Sequence, residues 1–277
     1  MRLPLPTRAP LFELLFAVAK RMNQTGQTLR IIGGLAMHCW HREMKSLPRV
    51  TEDIDCAFPS EDWPSKREAE ASILGLLAIL DDLGLERPSG PKAKASRTAR
   101  FTYARPGEPS KIELICGSLS FGSASRRKPA WRLLKLESGQ VIYASRLDWL
   151  EIIPEWVEVE FLVDDDRATV LIPSLAGLLL LKLKAVTDKL GRCDEEQDLA
   201  RHAHELERLE RHGGDLLVLF EWALATGGTF PSYKAAKAAN PAVRQSTEYL
   251  QERVLGAPPS QHLERMLADL REIAPAL

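Results

Sequence analysis

No apolar run in this chain is long enough to cross a bilayer. The most apolar window, Leu175–Leu181, is interrupted by Lys182 and Lys184, well short of the roughly 20 residues a spanning helix needs, so no membrane partner is expected. Cysteine is scarce too: four residues, at 39, 56, 116 and 193, stand far apart with no Cys-x-x-Cys pair. That spacing argues against a secreted disulfide framework and for reduced thiols in a cytoplasmic protein. Net charge is nearly absent, with 37 basic residues against 38 acidic ones. No global field gathers nucleic acid or anionic lipid, and any anion must be bound locally. The segment 1–10 lacks the continuous apolar stretch of a signal peptide, so export is not expected. Also missing are the Gly-x-x-x-x-Gly-Lys-Ser/Thr phosphate loop and the Gly-x-Ser-x-Gly nucleophile turn, which removes the main support for kinase and hydrolase readings. His38 and His41 share a helix face, but no further ligand at zinc-site spacing joins them.

What is present is enough apolar material, 45% of 277 residues, for one large domain or two modest ones. Helical spacing over Leu11–Met22 precedes a strand over Thr28–Ile32, and a second helix follows from Leu35 to Met44. A short strand over Ile54–Phe58 leads to a long amphipathic helix, Ser65–Leu83, ended by Gly84. Arg97–Arg105 and Lys111–Cys116 read as strands around a Pro-Gly turn, and Val157–Val163 with Ala168–Ile172 reads as a hairpin. From Pro173 onward the pattern is helical: Ser174–Lys189, Asp194–Arg211, Asp215–Ala225, Tyr233–Ala239, Val243–Val254 and His262–Ile273. Strands mixed with helices, then helices alone, predict an α+β fold in two parts. The expected domains are a catalytic one over 1–172 and a C-terminal helical bundle over 173–277.

Three features suggest a site. Ile31-Ile32-Gly33-Gly34-Leu35 is a strand turning through two glycines into a helix, where backbone amides can approach a phosphate and the helix N-terminus carries partial positive charge. In Asp53-Ile54-Asp55-Cys56 alternation aims both carboxylates at one face, about 7 Å apart along the chain. Such a pair repels itself unless a cation relieves it, and hard oxygen ligands suit Mg²⁺ or Mn²⁺. Glu113, alone among aliphatics in Lys111-Ile112-Glu113-Leu114-Ile115, is a candidate third carboxylate emerging at a cleft.

In this order the three features resemble the minimal signature of the DNA polymerase β-like nucleotidyltransferase superfamily. The closer likeness is to the abortive-infection type toxin nucleotidyltransferases of bacterial type IV toxin–antitoxin systems. Their Arg-x-Thr-x-Asp-hydrophobic-Asp pattern is matched by Arg49, Thr51, Asp53, Ile54 and Asp55, and an apolar helix bearing Lys182 precedes a segment echoed by Arg192, Asp194, Asp198 and Leu199. The resemblance spans roughly residues 29 to 200. It departs in its third acid, Glu113 where aspartate is more usual, and in the spacing from Arg192 to Asp198.

The resemblance implies a nucleotidyltransferase-fold mixed sheet with flanking helices. It also implies transfer of a nucleoside monophosphate from a nucleoside triphosphate (NTP) to an RNA, such as tRNA, or protein acceptor, in a toxin with a cognate antitoxin partner. Asp53, Asp55 and Glu113 would hold the metal ions and Glu113 can serve as general base. Gly33, Gly34 and Asp198 would contact the nucleotide, Arg49 and Thr51 would either contact it or only shape the approach to the acidic strand, and Lys182 would neutralise charge on the leaving group. Lys182 has an equal alternative as a lysine snorkelling from a buried helix. Basic clusters at Lys92, Lys94, Arg97, Arg100 and Arg105, and at Arg126, Arg127, Lys128, Arg132 and Lys135, are either a patch for an RNA acceptor or a solvated surface. Two other functions stand beside this one: a small-molecule, antibiotic-modifying nucleotidyltransferase, and a catalytically silent nucleotide- or partner-binding module.

Overall fold

Exposure alternates along Lys111–Cys116, with Ile112, Leu114 and Cys116 buried and the residues between them less so, as a strand with one face on a core requires. In the computed structural model, which describes residues 1–4, 10–45, 51, 53–59, 65–87, 102–117, 131–135, 141–196, 198–227 and 229–256, such strands build a mixed sheet. They are β1 (Arg2–Pro4), β2 (Leu29–Ile32), β3 (Asp53–Phe58), β4 (Thr102–Ala104), β5 (Lys111–Cys116), β6 (Trp131–Lys135), β7 (Val141–Arg146), β8 (Trp156–Val163) and β9 (Asp166–Pro173). Their order is β1-β8-β9-β2-β3-β5-β7-β6, with β4 paired to β5 off this path. The centre is mixed: β2 runs parallel to β9 and antiparallel to β3, while β3 runs parallel to β5.

Among the described residues, three helices belong to the same unit: α1 (Pro10–Gln24), α2 (Gly33–Glu43) and α3 (Lys66–Asp82). The stripe Leu11, Leu14, Leu15, Val18 and Met22 of α1 is buried, and the helix lies against β9, β2 and β3. Asn23 fixes its C-terminal end by accepting from the Thr169 amide at 2.7 Å and donating to the Thr169 carbonyl at 3.1 Å, which is what a neighbouring strand would do. From α1, Phe12 meets the His38 ring in a tilted contact at 4.6 Å and Phe161 edge-on, so His38 takes part in packing. On α2, the Trp40 indole donates to the Pro173 carbonyl at 3.0 Å. Ser65 caps α3, and Gly84, at φ +72°, closes it with amide bonds back to the last turn.

The chain divides into two compact units, Met1–Glu151 with Trp156–Pro173, and Ile152–Glu155 with Ser174 onward. The second is helical: α4 (Leu175–Glu195), α5 (Leu199–Thr226), α6 (Thr229–Ala239) and α7 (Pro241–Gly256). Here α4 packs on α5, α6 and α7, and the buried hydroxyls of Tyr233 and Thr247 meet at 2.7 Å between the last two. Among the described residues, no helix is long and apolar enough to cross a membrane.

Two details differ from the sequence expectation. Gly213-Gly214 does not break α5, because Leu209, Leu216, Leu219 and Phe220 keep one buried face across the pair and tertiary packing overrides propensity. β1 and β6 arise where no strand was expected; the first pairs parallel to β8 and the second antiparallel to β7. The expected helix His262–Ile273 and most of the Arg97–Arg105 strand lie outside the described residues.

Candidate metal centre

Strand register builds the site. Asp55 on β3 stands opposite Glu113 on β5, and Asp53 stands opposite Lys111. Alternation turns Ile54, Cys56, Ile112 and Leu114 into the core, all 2% exposed or less, and leaves the four charged side chains together on the other face. One ligand oxygen from each of Asp53, Asp55 and Glu113 lies within 4.8 Å of the others, and all three residues are half-buried. An octahedral Mg²⁺ held at about 2.1 Å places adjacent ligands roughly 3 Å apart, so small carboxylate rotations close the set on one ion.

The glycines fit this geometry closely. Gly33 opens α2 at φ +70°, and a Cβ there would collide with Asp55 Oδ2. A Cβ on Gly34 would come within 2.7 Å of Thr51 Oγ1. Both acidic-strand contacts therefore need a bare backbone at the start of α2. That helix has no side-chain cap from Ile32, and its first residue, Gly33, lies against Asp55. Thr51 donates its hydroxyl to Asp53 Oδ1 at 3.0 Å, which orients the carboxylate.

Lys111 is the residue that sequence reading passed over. Its ammonium donates to Glu113 Oε1 at 2.9 Å and lies 3.8 Å from Asp53 Oδ2. Burial alone would lower its pKa, but the hydrogen bond to Glu113 and the charges of Glu113, Asp53 and Asp55 outweigh that and hold it above the usual lysine value. The signal was available: Lys-x-Glu on a strand puts both side chains on one face, although the match to Asp53 depends on register.

A divalent cation fits these residues on two grounds. The donors are hard carboxylate oxygens, and the Gly33 backbone leaves room for Asp55. Next to them Cys56 is fully buried, and burial, helped by the Asp55 charge, pushes its thiol pKa up, which keeps it neutral.

Two of the remaining expected residues, Lys182 and Asp198, belong to the helical unit. Lys182 is 4% exposed on α4 and paired with Asp215 at 2.5 Å within the helical unit. That ion pair holds the ammonium between two helices of the bundle. Asp198 caps α5 by accepting from the Arg201 amide at 2.9 Å. Arg105 donates to the Leu83 carbonyl at 2.9 Å and pairs with Glu108. Arg49, Lys92, Lys94, Arg97, Arg100, Arg126, Arg127 and Lys128 lie outside the described residues. Comparison with protein-family models, with curated proteins and with solved structures finds no match to this chain.

Proposed function

We propose that the chain is a divalent-cation-dependent nucleotidyltransferase, moving a nucleoside monophosphate from a triphosphate to an acceptor hydroxyl. The observation that carries this reading is the convergence of Asp53, Asp55 and Glu113 beside the Gly33-Gly34 opening of α2. When bound, a pair of Mg²⁺ or Mn²⁺ ions stabilises the attacking and leaving oxygens of an in-line displacement at phosphorus. Asp53, Asp55 and Glu113 would hold the cations, and Thr51 fixes the Asp53 carboxylate through its hydrogen bond. The α2 amides seat a phosphate oxygen. Glu113 takes the proton of the acceptor hydroxyl as the new oxygen–phosphorus bond forms, and pyrophosphate leaves with the electrons of the broken bond.

The finer reading rests on the family resemblance alone: a nucleotidyltransferase fold, an RNA or protein acceptor, and action as a cytoplasmic growth-arresting or phage-defence toxin held by an antitoxin. A silent nucleotide-binding module is the second reading, favoured by the commitment of Lys182 to Asp215, which withdraws an expected cation from the leaving group. One assay separates them. The full chain is incubated with each labelled triphosphate, Mg²⁺ or Mn²⁺, and total RNA or lysate. Label transferred by the wild type and lost in Asp53→Asn supports the enzyme. Nucleotide binding with no labelled acceptor supports the silent module.

A further inference from the structure

A lysine ammonium among three metal-ligating carboxylates is an awkward neighbour for a dication. It is also well placed for another task. Lys111 and Glu113 share a face of β5, and the register with β3 sets Asp53 opposite Lys111. The ammonium consequently spans two of the three acids from two different strands, at 2.9 and 3.8 Å. With a third of its side chain exposed, at 34%, it is only partly screened by water yet has a path outward. Three carboxylates with oxygens within 4.8 Å of one another repel, and this charge offsets that repulsion without any metal. Its compact head sits on a flexible four-carbon stem, so it can leave without moving the strand.

We propose that Lys111 is a resident counter-ion of the cation site, a positive charge that a divalent metal must displace before Asp53, Asp55 and Glu113 can close on it. The lysine keeps the acids gathered when no metal is bound and sets a threshold on loading. This inference rests on the cation-binding reading of the triad.

Mn²⁺ titration of the full chain, followed by the electron paramagnetic resonance of free Mn²⁺ and by calorimetry, tests it. Lys111→Met keeps the apolar stem and Lys111→Gln a polar one; both are expected to bind Mn²⁺ roughly tenfold more tightly or better at low salt, since one opposing charge is removed from a partly screened site. Lys111→Arg, which retains the charge, should stay close to wild type. Metal-free, the two neutral variants should melt lower than wild type, and added Mn²⁺ should raise their melting temperatures by more. Equal or weaker Mn²⁺ binding in both neutral variants overturns the role given to Lys111 while leaving the cation site standing. Unchanged Mn²⁺ binding in Asp53→Asn and Asp55→Asn would place the ion elsewhere and sink both.

Discussion

A Cβ at position 33 would meet the Asp55 carboxylate, and φ there is +70°, where a side chain is strained. Gly33→Ala therefore combines backbone strain of about 1–3 kcal/mol with displacement of a proposed metal ligand. Gly26, at φ +78° with nothing within 4 Å of a Cβ, provides the matching control. Thermal melts and Mn²⁺ titration of both alanine variants should show stability lost in each, but cation binding lost only in Gly33→Ala. Thr51→Val is a milder probe at the same scale. It removes the hydroxyl that donates to Asp53 while keeping the shape, so cation affinity should fall with a stability loss of only about 1 kcal/mol. Full Mn²⁺ affinity in Thr51→Val would mean that the bond does not orient the carboxylate.

The helical unit poses the test of Lys182 at the level of elements. Removing either partner of its ion pair with Asp215 leaves a buried charge, and Lys182→Met alone should cost about 3–5 kcal/mol in chemical denaturation. The double variant Lys182→Met with Asp215→Leu should recover most of that, and should still transfer nucleotide if the pair only holds α4 to α5. Loss of transfer in a stable double variant would return Lys182 to the reaction. On α5 itself, Gly214 has nothing within 4 Å of a Cβ, so Gly214→Ala should stabilise the helix by up to about 1 kcal/mol. These elements also show what could be read beforehand. Alternation is local, so the shared face of Asp53 and Asp55 and the strand holding Glu113 were legible, as were α1, α3 and the β8–β9 hairpin. The pairing of Asp53 with Lys111 was not, because it follows from β3–β5 register between distant segments. β1, with three residues, is too short to show a period, and only its place beside β8 makes it a strand. Lys182 in an apolar helix looks alike whether it snorkels or pairs, until Asp215 on the next helix is brought against it.

For the whole molecule, buried acids of weak strength govern the alkaline limit. Burial pushes the Cys39 thiol from its ordinary 9.0 up to about 12, against the opposing charge of Arg42, and raises Cys56, Tyr103 and Tyr233 as well. Each of these folded-state values lies above its unfolded one, so the stabilisation is fully present below the unfolded value and is lost as pH rises toward the folded value. For Cys39 the window runs from 9.0 to about 12, and within it the unfolded chain gives up a proton that the fold retains, at about 1.4 kcal/mol per pH unit. Lys111, also raised, loses its contribution in the same direction above the ordinary lysine range. Denaturation midpoints measured from pH 8 to 11 should therefore fall steeply above 9, and Cys39→Ala should flatten the slope by about one proton's worth. The same burial predicts thiol reactivity: a thiol reagent at pH 8 should label Cys193, the only one of the four not buried, while Cys39, Cys56 and Cys116 react only after unfolding. Rapid labelling of Cys39 in the folded chain, or a midpoint flat through pH 11, would show that this core opens to water.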